Sequence, residues 1–179
     1  MSIITNVRTI RLEQFPNSIW VEIETDENLT GLGEAWRGTA AIETIIHHDI
    51  CPWLIGQDSR NIELISRTLL TPYVGFHSAS AEVRAASAID IALWDLAGKR
   101  HGIPVYEALG GASRSSIQVY NTCSGYSFNA SSSAYNSGSS RRMITDKDEM
   151  RGPYDDQVAF NRDAGALAKS LLSEGYKIM

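Results

Sequence analysis

The run Arg84-Ala85-Ala86-Ser87-Ala88-Ile89-Asp90-Ile91-Ala92-Leu93-Trp94-Asp95-Leu96-Ala97-Gly98-Lys99 constrains the fold more than any other stretch of the chain. Its small and apolar residues surround the axis of the helix it predicts, about Ser80 to Lys99, so the helix has to be packed on several sides, and its alanines allow close approach of a neighbour. Asp90 and Asp95 sit in this apolar setting, where carboxylates are costly unless paired or hydrogen-bonded. Five positions apart on a helix they point roughly 140° away from each other, so they cannot share one substrate atom. Asp95 with Lys99 at i+4 reads as an ion pair, and both carboxylates are expected to be structural. Gly102 and Pro104 end the helix.

The partner elements precede it. Ile19, Val21 and Ile23 alternate with Trp20, Glu22 and Glu24, which predicts a half-buried strand over Ser18 to Thr25. A β-rich run from Ile3 to Leu12 comes before, and the turn formers Asp26 to Gly31 follow, so a three-stranded antiparallel meander ending near Ala35 is expected. Ile42, Ile45, Ile46 and Ile50 then take helical spacing, with Thr39 as N-cap and Pro52 as a stop. Ile62, Ile65, Leu69 and Leu70 make a second helix capped by Asp58 or Ser59, and Thr71 to Ser80 reads as a loop. After Gly110-Gly111 a strand is predicted at Ser116 to Thr122, which places a boundary near residue 112. Eight of the 17 residues from Ser124 to Ser140 are serine, a composition that predicts a mobile loop. A helix of about Tyr154 to Glu174, with Val158, Leu167, Leu171 and Leu172 on its apolar side and Gly175 at its C′ position, leads to a strand start at Tyr176 to Met179. No internal repeat is visible.

Charge and motifs exclude several functions. A formal net charge of −5 gives no basic footprint for nucleic acid. No membrane span and no secretory signal is found, so a cytoplasmic setting with Cys51 and Cys123 as free thiols is expected, and the Asn28 and Asn129 acceptor patterns for glycosylation carry little weight. Gly31-Leu32-Gly33 lacks the third glycine of a dinucleotide fingerprint, Trp36 standing there instead, so these glycines are expected to serve a turn or bulge entering a strand. His47, His48, Asp49 and Cys51 offer metal-ligand side chains, but one helix rarely completes a site and no second Cys/His pair exists, so a wet helix end with a histidine near its C-terminal dipole is the favoured reading. No Gly-x-Ser-x-Gly is present.

The Arg84 to Lys99 run, continued by Gly102-Ile103-Pro104-Val105-Tyr106-Glu107-Ala108-Leu109-Gly110-Gly111, resembles the N-terminal signature of the mandelate racemase and muconate lactonizing enzyme group of the enolase superfamily. Gly31-Leu32-Gly33-Glu34-Ala35 resembles that group's third-strand motif, and Cys51-Pro52-Trp53-Leu54-Ile55-Gly56-Gln57-Asp58 its link between helices. Ala108 stands where a leucine is expected, a packing change. The resemblance implies an α+β capping domain over residues 1–111. Residues 112–179 would be the first β/α unit, and the start of the second strand, of a truncated (β/α) barrel.

A complete barrel takes roughly 250 residues, or ~200 at the low end, and only 68 follow residue 111, so the chain is expected to be an N-terminal piece of such an enzyme. The family abstracts the proton α to a carboxylate, with Mg2+ stabilising the enediolate and a lysine or histidine as base. Metal ligands and bases come from later strands, so neither is assigned here, and Lys177 is not expected to be the base. The resemblance implies an acid-sugar dehydratase, a racemase or cycloisomerase being equally compatible with these residues. The expected substrate is a small carboxylate such as an acid sugar, and a homo-oligomer is expected for the full-length protein. Two capping loops, Glu13 to Asn17 and Trp36 to Thr39, would close over the barrel mouth, with Arg37 binding a carboxylate bidentately and Trp36 walling the pocket. Asn121 and Thr122, at the C-terminal end of the first barrel strand, and His77 are further substrate-facing candidates. The rival expectation is a non-catalytic α+β interaction domain. Unpaired strand edges at Ile117 to Thr122 would leave the polypeptide as written inactive and prone to aggregate.

Overall fold

The computed structural model describes residues 1–13, 15–71, 80–121 and 163–178. The chain divides into two compact units, Met1–Glu13 with Asn17–Ser113, and Gln14–Pro16 with Arg114–Met179. Among the described residues no helix is long and apolar enough to cross a membrane.

The first unit has the expected α+β architecture. Strands β1 (Ile4–Ile10), β2 (Ser18–Thr25) and β3 (Thr30–Trp36) form an antiparallel sheet in the order β1-β2-β3. Val7 faces Ile23 in the first ladder, and Ile19 faces Ala35 in the second. Period-two alternation works as the sequence predicts: Ile19, Val21 and Ile23 are wholly buried. On the other face Arg8 bridges Glu22 at 2.6 Å and Glu24 at 3.0 Å, a cross-strand charge ladder. The core lies between the inner sheet face and the helices, where Ile4, Ile42, Ile46, Leu54, Ile65, Ile89, Leu93 and Leu96 are buried together.

Helix α4 (Ala81–His101) is the longest element among the described residues and packs most extensively on β3. It ends as expected at Gly102, whose φ of 66° is left-handed, with Ile103 N–H returning to Gly98 O at 3.0 Å. Asp95 forms the expected ion pair with Lys99 at 2.7 Å, and Asp90 accepts from the Ser66 hydroxyl on α3 (Ile62–Leu70). The helix is nevertheless not enclosed all round. Ile91 stays exposed, and with Leu32, Trp94, Val105 and Leu109 it lines a groove of about 630 Å³ beside the short helix α5 (Val105–Ala108). An apolar pattern round a helix sets what can be buried; neighbours cover only the side on which they pack.

Four expectations for the first helices are corrected. Gly38, with φ 74°, takes the N-cap position of α1 (Thr39–Thr44), and Thr39 is already helical. Pro52 does not stop the run: a π-helical segment, Ile45–Ile50, follows α1 and leads into α2 (Cys51–Leu54). Cys51 N–H bonds Ile46 O, five residues back, so the ladder is being re-phased where proline removes a donor. His47 and His48 consequently lie inside a continuing helix, not at a C-terminal dipole. Asn61 holds the N-cap position of α3, while Asp58 accepts from Ser2 N–H at 3.2 Å and from Arg60.

In the second unit, helix α6 (Ala164–Ser173) begins at Asp163, whose carboxylate accepts from Ala166 N–H at 2.9 Å. Gly175, φ 97°, is the expected C′ residue, with Gly175 N–H to Leu172 O and Tyr176 N–H to Leu171 O closing the end. Leu167 and Leu171 are buried, but Leu172, expected on the same apolar side, is 61% exposed. Where the sequence predicts strands at 116–122 and from 176, the described residues form none. Asn121 N–H donates to Ile178 O at 3.3 Å, a backbone bond between these two segments. The serine-rich loop, Cys123 and the start of the helix expected from Tyr154, with Val158, lie outside the described residues.

Candidate functional site

The Trp36–Arg37–Gly38 turn joins the end of β3 to α1. Arg37 has φ 63° and Gly38 φ 74°, two consecutive left-handed residues. The conformation is free of cost for glycine, but a side chain crowds the following carbonyl, and such a non-glycine residue costs about 1–3 kcal/mol. The surroundings hold it there. Arg37 N–H donates to Asn17 O at 2.7 Å, tying the turn to the end of the Glu13–Asn17 connection. Gly38 O accepts from Ile42 N–H at 3.0 Å and starts the helix. Arg84, in the first turn of α4, donates from Nη1 to Trp36 O at 3.2 Å and to Arg37 O at 3.1 Å.

The side chains of the turn are coupled. The Arg37 guanidinium lies 4.6 Å from the centroid of the Trp36 ring, an interaction worth about 0.5–1 kcal/mol in a wet setting. Trp36 is 44% exposed, while Arg37 is half-buried. Stacking engages the face of the guanidinium, whereas a carboxylate binds its in-plane N–H fork, so the two interactions are compatible. A guanidinium beside an aromatic ring is a pairing chemically suited to planar anions.

Of the sequence candidates, Trp36 and Arg37 are therefore brought together in the first unit. Asn121, half-buried, belongs to the second, and Thr122 and His77 lie outside the described residues. Arg84 was not singled out by its sequence context; its partners are backbone carbonyls 48 and 47 residues away, which leave no signature in the chain.

Two other groupings serve packing. His47 Nε2 lies 2.9 Å from Thr9 Oγ1, which also donates to Glu43 at 3.0 Å, and Cys51 Sγ is 3.9 Å from His47 Nδ1. This ties β1 to the first helices, and burial pushes the Cys51 thiol up, away from the reactive thiolate. Among the described residues no three His, Cys, Asp or Glu side chains are grouped so as to hold a metal ion. They offer Mg2+ no ligand set. The groove beside α4 contains none of the candidates, and its Asp90, Asp95 and Lys99 are bonded to protein partners.

The glycine pair is corrected here as well. Gly31 and Gly33 lie in regular pairing opposite Ile23 and Val21, with no bulge. A Cβ at Gly33 would overlap Ala88 O, and one at Gly31 would overlap Ala92 O, so glycine is required by the backbone of α4.

Residues 6–110 match the family model described as mandelate racemase / muconate lactonizing enzyme, N-terminal domain. Among curated proteins, a D-mannonate dehydratase of Rhizorhabdus wittichii is 36% identical over 126 residues, covering 68% of this chain and 31% of that protein. A D-galactonate dehydratase of Ralstonia nicotianae is 39% identical over 124 residues, with the same shares. A crystal structure of an enolase protein from the environmental shotgun sequencing of the Sargasso Sea is 46% identical with a TM-score of 0.72, covering 98% of this chain and 38% of that one. The chain thus spans about a third of the length of these relatives.

Proposed function

The chain belongs to the mandelate racemase / muconate lactonizing enzyme family, and from that premise we propose that it is the substrate-enclosing part of an acid-sugar dehydratase. Residues 1–111 are the capping domain, and 112–179 the first β/α unit of a barrel that carries the reacting groups. The reaction removes the proton α to the carboxylate and expels the β-hydroxyl as water, the expelled oxygen taking up a proton. Kinship to D-mannonate and D-galactonate dehydratases supports this class, both substrates being sugar acids with a hydroxyl on each of these carbons. A divalent ion, Mg2+, would take its ligands from residues other than those described. The part played by the described residues is binding, with a cytoplasmic, homo-oligomeric enzyme as the setting.

One observation carries the assignment within this chain: the left-handed Arg37, stacked on Trp36 at the surface of the turn. In the full-length protein, with Mg2+ and D-galactonate or D-mannonate, Arg37→Ala raises KM by about 10- to 100-fold, the loss of a charged hydrogen bond. Arg37→Lys, which keeps charge without the fork, recovers part of it. An unchanged KM in Arg37→Ala would remove Arg37 from the site. No dehydration of any sugar acid by the full-length protein would remove the reaction class.

A further inference from the structure

Two peptide planes flank the Arg37 Cα, and their rotations are its φ and ψ. The oxygen of the plane before it, Trp36 O, and of the plane after it, Arg37 O, both accept from one atom, Arg84 Nη1, at 3.2 and 3.1 Å. Two successive carbonyls converge on a single donor only when the torsions between them are fixed. The bonds to Asn17 O and from Ile42 N–H anchor the turn on either side, and Arg84 grips both planes at once.

We infer that Arg84 is a positioning residue for substrate recognition: by clamping the two carbonyls around Arg37 it holds the left-handed turn that presents the Arg37 guanidinium to a substrate carboxylate. The substrate half of this inference rests on the reading of Arg37 given above; the clamp itself does not. Arg84 suits the role because it is exposed and lies outside the core, while the adjacent Ala85 and Ala86 face inward and fix α4 against the sheet. The clamp thus transfers the position of the most deeply packed helix to a surface turn. Stacking on Trp36 carries the effect from backbone to guanidinium, since Trp36 supplies one of the clamped carbonyls.

The test uses Arg84→Met, which keeps length and removes the donors, and Arg84→Lys, which restores a cation, in the full-length protein. Hydrogen exchange is followed at the Arg37 amide, which donates to Asn17 O, together with kcat and KM for a sugar acid. In Arg84→Met the turn is expected to exchange about 10-fold faster or more, with α4 unchanged as the control for folding. KM rises about 10-fold while kcat stays within about 3-fold, and Arg84→Lys recovers part of both effects. Wild-type exchange at the turn in Arg84→Met overturns the clamp. Faster exchange with an unchanged KM, in a background where Arg37→Ala does raise KM, overturns the link to substrate. If Arg37→Ala itself leaves KM unchanged, the reading of Arg37 has failed, and the exchange result alone decides for or against the clamp.

Discussion

Gly33 owes its identity to a backbone it touches, because the place where a Cβ would stand is filled by the carbonyl oxygen of Ala88. A side chain in the way could change rotamer, but a helix backbone cannot. Gly33→Ala therefore has to push α4 off β3, along the most extensive contact of the first unit, and the loss is expected at about 3 kcal/mol, the upper end for overpacking. Urea denaturation followed by circular dichroism measures it, and a change under ~0.5 kcal/mol, the range of an ordinary surface substitution, would show that the close approach is not rigid. The sequence holds both halves of this contact without joining them. The alanines of the 84–99 run announce close approach by some partner, and the Gly-x-Gly announces a backbone need, but that Ala88 and Gly33 answer one another is a non-local fact. Arg37 enters as a candidate through family resemblance, whereas Arg84 bonds backbone carbonyls, which every residue possesses, and so leaves no sign in the sequence.

At the scale of elements, β3 is an edge strand, and an edge invites pairing with another chain. Side chains of α4 occupy part of it. Asp95 Oδ2 accepts from Leu32 N–H at 2.7 Å, and Lys99 Nζ donates to Thr30 O at 2.7 Å, while the two side chains also pair with each other. The i, i+4 pair visible in the sequence thus has a second task that periodicity could not show. Asp95→Ala leaves Leu32 N–H without its acceptor, and an expected cost of about 1–2 kcal/mol follows from a charged hydrogen bond in a partly exposed place. Asp95→Asn, whose amide oxygen can still accept, loses less than half of that. Sedimentation velocity should show more self-association for Asp95→Ala than for Asp95→Asn; equal behaviour would mean that the edge is guarded by other means. Strands with a buried face and helices with a strong stripe were readable because their periods are local. The stretch at 116–121 was not, since a strand exists only where a neighbour completes its ladder.

Over the whole first unit, one charged network joins segments far apart in the chain. Arg100, near the end of α4, donates from Nη2 to Ser2 Oγ at 2.7 Å and Ser59 Oγ at 2.9 Å, and its Nε pairs with Glu27 at 3.1 Å. Ser2 and Ser59 are wholly buried, and Asp58 beside them accepts from Ser2 N–H and from Arg60. Hydrogen bonds from Ser2 and from Arg100 hold the Glu27 carboxyl below its usual range, and the Arg60 guanidinium holds Asp58 well below it. Both groups therefore stay ionised in the folded protein at a pH where the unfolded chain has begun to bind protons. Their contribution is fully present above the ordinary carboxylate range, about pH 4, and is lost as pH falls through that range toward the lowered folded values. Stability to urea is thus expected to fall between pH 6 and pH 3. Asp58→Asn should be less stable than the parent chain at pH 6, with the gap narrowing toward pH 3, because the unfolded parent then takes up a proton at Asp58 while the folded one still holds its carboxylate ionised, a linkage that the substitution lacks at every pH. Glu27→Gln should follow with a smaller gap, its carboxyl being more exposed and less perturbed. A gap between parent and Asp58→Asn that stays constant from pH 6 to pH 3 would place the acid sensitivity elsewhere, and leave this network as packing that is indifferent to charge.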